Sequence, residues 1–409
     1  MLVVTANWAL ADGTVHVGPP PGAVTNFFRE LRRVAWRAGF RHDGRYRPLD
    51  SVQIVLAGDT FDGLSSLAWR GSLRPWHGGG RVQTVVEKIA TAATRRSARF
   101  LAGLARLQRA GISVPRADRQ GRPLPGTTCQ AAVTVVCLIG DRDRMLDGPW
   151  LANLAGRYGI HVGHEWSSDT VVVRHGSEFD PLGGCPDDFP GSRSPTLAES
   201  LAIDLLVNFA WRLLDQGVPR PTAAAITRRL TAAAPLELPR HIATCPEPAI
   251  REAWCRSVHY WHSQASATVP EAAVEHAVVD ALAVWLEPGD EEDRHRHSRD
   301  LAAVIAHLRP RVARRSADSR LFVLGHPPGI MSQESSSEGG GCVCLGPSLR
   351  HGQRLLGSEP MPATIAFPVA GSHRCSWLAD GPSAVDRFRP VHVTTRGARE
   401  DEPGIIDAA

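Results

Sequence analysis

Four short runs of Val, Leu and Ile, spread along this 409-residue chain, each end on residues of the kind that bind cations. They are Val55-Leu56-Ala57-Gly58-Asp59-Thr60-Phe61-Asp62, Leu138-Ile139-Gly140-Asp141-Arg142-Asp143, Val171-Val172-Val173-Arg174-His175-Gly176 and Phe322-Val323-Leu324-Gly325-His326. Each run is too short for a helix and rich in β-formers, so it reads as a buried strand. Open α/β sheets place their sites at the C-terminal ends of such strands. The pattern therefore predicts an α/β fold that brings Asp59, Asp141, His175 and His326 together. Two carboxylates and two imidazoles form a ligand set for a divalent ion, with manganese expected first and iron(II) or zinc as alternatives.

The stretches between these strands sort by period. Residues 1–6 read as a first strand, and residues 23–38 carry apolar positions at helical spacing behind an Arg-rich outer face. Residues 82–110 read as one helix or a helix pair, 113–128 as a Pro/Gly/Arg-rich loop, and 149–158 as a short helix. From 196 to 314 the chain is almost wholly helical in period, in roughly five segments. One of its apolar stripes is Leu197, Leu201, Leu205, Phe209 and Leu213. Such a block between two strands reads as an insertion. Residues 332–341 read as a flexible loop, and 342–346, 363–369 and 390–395 as further strands. The expected organisation is a core over 1–195 and 315–395, a helical cap over 196–314, and a loose tail over 396–409.

Composition narrows the function classes. The formal net charge is only +4, which leaves no strong nucleic-acid footprint. The basic residues are almost all arginine, with Lys88 the single lysine, so bidentate phosphate contacts stay open. Eight cysteines are scattered without a CxxC pair, which argues against a zinc knuckle or a disulfide framework. The N-terminus lacks the pattern of a signal peptide, and no apolar run reaches the ~18 residues of a membrane span. A cytoplasmic location is the expectation. The sequence leaves the oligomeric state open.

In order and form, the four motifs resemble those of the calcineurin-like metallophosphoesterases. The local form is most similar to the UDP-2,3-diacylglucosamine hydrolase branch. That branch has Gly-Asn-Arg-Asp where this chain has Gly140-Asp141-Arg142-Asp143, and a His-Gly pair matched by His175-Gly176. The resemblance covers 1–182 and 320–346. It implies a metallophosphoesterase-like β-sandwich flanked by helices in four layers, here with a large helical insertion. It also implies two metals about 3.5 Å apart.

The chain departs from that pattern in three places. The family's first motif, Asp-x-His, corresponds to Asn7-Trp8-Ala9; the last, Gly-His-x-His, to Gly325-His326-Pro327-Pro328; and Asp141 stands where the family has Asn. Mapped onto the family's two half-sites, one keeps only Asp59 and Asn7, and the other keeps Asp59, Asp141, His175 and His326. One ion rather than two is the expectation. Asp12 and His16 lie near the broken first motif at the wrong spacing, and His161 and His164 read as surface or satisfied core.

Two functions follow from the resemblance. One is a metal-dependent phosphoesterase acting on a phosphorylated small molecule or nucleotide-linked substrate. In it Arg142 holds a phosphate oxygen and Asp143 is the second catalytic candidate, while Asp62, Asp143 and Asp180 orient loops and ligands. The alternative is a pseudo-phosphoesterase that binds a phosphorylated ligand or a protein partner without cleaving anything.

Overall fold

A computed structural model describes residues 1–20, 22–41, 43–169, 171–177, 195–233, 238–243, 245–268 and 276–287. It also describes the segments 321–325, 342–344, 363–367, 374–378 and 390–392. The protein is a mixed α/β structure. Strands β1 (Leu2–Ala6), β2 (Leu10–Ala11), β3 (Ser51–Ala57), β4 (Phe61–Asp62), β5 (Ile112–Ala117), β6 (Pro123–Leu138) and β7 (His161–Gly163) come from the first half. Then follow β8 (Glu165–Ser167), β9 (Val171–Arg174), β10 (Leu321–Leu324), β11 (Cys342–Cys344), β12 (Ala363–Phe367), β13 (Arg374–Leu378) and β14 (Pro390–His392).

The larger sheet runs β14-β13-β12-β1-β3-β6-β5, with β7 also paired to β6. At its centre β1, β3, β6 and β7 are parallel, with Val4 opposite Val55 and Val55 opposite Val136. A smaller sheet runs β11-β10-β9-β8, and β9, β10 and β11 in it are parallel.

The apolar runs explain the parallel centre. Successive side chains of a strand point to opposite faces. Val3, Ile54, Leu56, Val133 and Val135 join one core with the helices α1 (Ala23–Arg37), α2 (Gly80–Arg96), α3 (Ala98–Ala110) and α4 (Pro149–Tyr158). Val4, Val55 and Ala57, on the opposite face, are buried as well. Where a strand is covered on both faces, as over residues 3–4 and 54–57, apolar residues occupy successive positions, whereas β6 alternates from Ala131 to Val135 with Ala132 and Thr134 exposed. Trp8 anchors the helix side: its ring stacks on Phe100 at 4.1 Å and meets Phe27 edge-on at 5.2 Å. Its indole N–H donates to the Thr5 hydroxyl at 3.1 Å, so the ring is buried without an orphaned donor.

Residues 113–128, expected as a loop, are instead most of an antiparallel hairpin. Ile112 pairs with Ala131 and Val114 with Cys129, and a bulge lies between Pro115 and Ala117. β5 is the edge of the sheet, where proline breaks no ladder, so the prolines that suggested a loop are tolerated. Strand β13 was not expected at all. The tail over 396–409 and the loop over 332–341 lie outside the described residues.

The helices of the second half have a core of their own. They are α5 (Leu197–Ser200), a π-helical stretch Leu201–Val207, α6 (Asn208–Asp215), α7 (Arg220–Ala232), α8 (Leu238–Ala243), α9 (Pro248–Thr268) and α10 (His276–Leu286). The first three are continuous. The rod starts at a capping box in which Thr196 accepts from the Glu199 amide and Glu199 accepts from the Thr196 amide. Leu201, Leu205, Phe209 and Leu213 face Trp254, Val258 and Trp261 of α9 in one apolar cluster. Among the described residues no helix is long and apolar enough to cross a membrane.

Candidate metal centre

The C-terminal ends of β1, β3, β6, β9 and β10 lead directly into Asn7, Gly58-Asp59, Gly140-Asp141, His175 and Gly325. The smaller sheet reaches the larger one here. The Gly325 amide donates to the Arg174 carbonyl at 3.0 Å, and the Asn7 side-chain amide donates to the Gly325 carbonyl at 2.8 Å. One ligand atom each from Asp59, Asp141 and His175 lies within 4.8 Å of the others. Oxygens and nitrogens sharing one ion at bonds of about 2.0–2.2 Å stand roughly 3 Å apart, so this spacing suits a single cation.

The imidazole of His175 is 3 % exposed and oriented through both ring nitrogens. Its Nδ1 lies 3.2 Å from the Ala57 carbonyl, which can only accept, so Nδ1 carries a proton and leaves Nε2 as the nitrogen open to an ion. Nε2 then faces the carboxylates, 2.6 Å from Asp141 Oδ1 and 3.6 Å from Asp59 Oδ1. A backbone carbonyl that accepts from the other ring nitrogen in this way is the usual outer support of a metal-ligating histidine. Gly58 makes this approach possible: its φ is +85°, and a Cβ there would collide with the His175 ring. Gly140 is equally confined, since a Cβ on it would lie 2.6 Å from the Asp59 amide.

Backbone strain gathers at the same place. Among the described residues the non-glycine positions with positive φ are Asn7 at 59°, Ala9 at 46° and Asp59 at 49°. Asn and Asp tolerate this region, but for alanine it is unfavourable. The Ala9 amide donates to the Asp59 carbonyl at 2.9 Å and the Leu10 amide to the Thr60 carbonyl at 2.9 Å, which holds the two loops together. Strain of this kind persists only where surrounding structure enforces it, and it clusters at functional sites.

Behind the ligand group lies a buried charge network. Asp143 is 2 % exposed and accepts from three backbone amides: Gly140 at 2.5 Å, Thr60 at 3.0 Å and Phe61 at 3.3 Å. It thereby fastens the Asp59 loop to the Asp141 loop. Burial and the neighbouring Asp59 charge push its carboxyl up to about 7, against the opposing pull of the Gly140 amide and His175. Asp62, fully buried, meets Arg142 at 3.2 Å and His16 Nε2 at 2.9 Å, and its other oxygen accepts from the Ser65 amide at 3.0 Å. Burial alone would raise the Asp62 pKa, but Arg142 and His16 outweigh it and hold the carboxyl well below the usual range. His16 Nδ1 accepts from the Gly18 amide at 3.1 Å, so the proton on Nε2 donates to Asp62.

The structure thus brings together Asp59, Asp141 and His175 of the expected ligands and sets Asn7 beside them. His326 and Asp180 lie outside the described residues. Arg142, expected on a phosphate, contacts three internal acceptors: Asp59, Asp62 and the Thr231 carbonyl at the end of α7. His161 and His164 lie exposed on the surface, His164 beside Asp147 at 4.0 Å, and His16 turns to Asp62. The long-range partners His16 and Thr231 carry no local sequence signal. No protein-family model, characterised protein or solved structure matches this chain.

Proposed function

We propose that this chain is a metal-dependent phosphoesterase that cleaves phosphodiester or pyrophosphate bonds at a single-ion centre. In this reading the two sheets and their helices form the metallophosphoesterase-type sandwich, and the helices over 197–286 form a cap. The observation that carries the proposal is the convergence of Asp59, Asp141 and His175 within 4.8 Å at C-terminal strand ends. His326, which directly follows Gly325 in the sequence, is the fourth ligand expected from the motif pattern.

Imidazole nitrogen with carboxylate oxygens suits manganese, iron(II) or zinc. When bound, such an ion polarises a phosphoryl oxygen and makes water acidic enough to act as nucleophile at neutral pH. The residues supply the rest. His175 presents Nε2 on an oriented ring, and Asp59 and Asp141 add the charge that draws a dication. Asp143 keeps their two loops in register.

Protein stripped of metal and reconstituted with manganese is expected to hydrolyse bis(p-nitrophenyl) phosphate or a nucleotide-linked pyrophosphate. Asp141→Ala is expected to be slower by about 10²–10³-fold, the usual cost of removing one electrostatic contributor. Equal rates for the chelated protein, Asp141→Ala and the reconstituted protein would refute the hydrolase reading. A second reading, binding without cleavage, is favoured by the internal engagement of Arg142, which competes with a phosphate contact. An ion-loaded protein with no hydrolysis of either substrate would select it.

A further inference from the structure

We infer that the Arg142 guanidinium serves as a built-in cation on the second side of Asp59, and that it limits the centre to one ion. The inference rests on the reading of Asp59, Asp141 and His175 as ion ligands and concerns how many ions they admit. A carboxylate that bridges two metals through both of its oxygens gives one oxygen to each. The two oxygens of Asp59 are divided in just that manner, but between different partners. Oδ1 faces His175 Nε2 at 3.6 Å and accepts from the Arg142 backbone amide at 3.1 Å, while Oδ2 faces Arg142 Nε at 3.6 Å.

The guanidinium is fixed there from two further directions. One terminal nitrogen contacts Asp62 Oδ2 at 3.2 Å, and the other donates to the Thr231 carbonyl at 2.7 Å. Asp62 is itself held by His16 Nε2 at 2.9 Å. A chain of buried and part-buried contacts therefore runs from His16 through Asp62 and Arg142 to Asp59, with a side branch to α7. The guanidinium is charged, as an arginine is throughout the ordinary pH range, and three contacts hold it in place. A dication on the Oδ2 side would meet this fixed positive charge at short range in a poorly solvated environment, where repulsion is strong. The same geometry accounts for Asn7: with a guanidinium beside Asp59, this position needs no anionic ligand, and its amide donates to the Gly325 carbonyl instead.

The test counts manganese by elemental analysis and reads its spin coupling by electron paramagnetic resonance, at saturating manganese. The wild-type protein is expected to hold one ion per chain with an uncoupled six-line signal. Arg142→Met, neutral and of similar length, is expected to hold two ions with a coupled signal; Arg142→Ala, which leaves room for it, is expected to return from two ions to one on addition of ethylguanidinium. Arg142→Lys keeps the charge and should keep one ion. Arg142→Gln, neutral but able to donate to Asp62 and Thr231, should also hold two, and it replaces the methionine variant if that fails to fold. One ion in all the neutral variants, or two in the wild type, overturns the inference and leaves the ligand group standing. No ion in any of these proteins overturns the ligand group as well.

Discussion

Replacing Asp62 with alanine is expected to lower folding stability by about 3–5 kcal/mol, because it breaks a buried charge network by removing one partner. The Asp62 side chain is fully buried, and its loss strands the Arg142 guanidinium and the His16 N–H where water does not replace it. The effect also has a pH signature. The folded state holds the Asp62 carboxyl below its ordinary value, so its contribution is fully present above the unfolded-state pKa of about 3.9. As pH falls below that value the unfolded chain takes up a proton that the folded chain refuses, and the contribution drains away. Urea unfolding from pH 7 to pH 3 should show a wide gap between wild type and Asp62→Ala that narrows below about pH 4. A gap that stays constant would show that Asp62 acts through shape alone.

Replacing His175 with alanine is expected to weaken manganese binding by more than the about 100-fold seen when an outer support of a metal ligand is lost. The imidazole supplies the only nitrogen among the three grouped ligands, on a ring oriented by the Ala57 carbonyl. Its ring is buried against Gly58, so the deletion also leaves a small cavity, and stability should be followed alongside binding. Titration calorimetry with manganese separates the two effects. Unchanged affinity in a folded His175→Ala protein would remove this residue from the centre.

The reach of the sequence differed between elements for physical reasons. The C-terminal ends of the central strands were legible because burial there forces short apolar runs, and the candidate ligands because they stand where those runs stop. The hairpin of β5 and β6 was not, because an exposed edge accepts the Pro and Gly residues that elsewhere mark loops. In the centre, Asp59, Asp141 and His175 came from local motifs. The role of Arg142 did not, since its acceptors include the carbonyl of Thr231, 89 positions away in the chain. The pairing of His16 with Asp62, 46 positions apart, is likewise a product of tertiary packing. Local spacing suggested only that His16 was out of place. The strained φ at Ala9 was also invisible, because alanine gives no warning of a left-handed backbone, whereas Asn7 and Asp59 are residue types that adopt it more readily.

Three arginines of the first half contact the helical block. Arg142 reaches Thr231, Arg144 donates to Glu199 from one terminal nitrogen at 2.7 Å and from Nε at 3.2 Å, and Arg74 meets the buried Asp204 of the π-helical stretch at 2.7 Å. Arg74 also reaches the Tyr260 hydroxyl of α9 at 3.3 Å. Two of the three arginines follow Asp141 within three residues, so the loop that carries a ligand also carries the contacts to the helices.

The most direct measurement is an anomalous difference map from crystals soaked in manganese, with data collected on both sides of the manganese edge. A single-ion centre gives one peak per chain, within bonding distance of Asp59, Asp141 and His175 Nε2 and with none on the Oδ2 side of Asp59. A peak elsewhere, or none at this group, would contradict it.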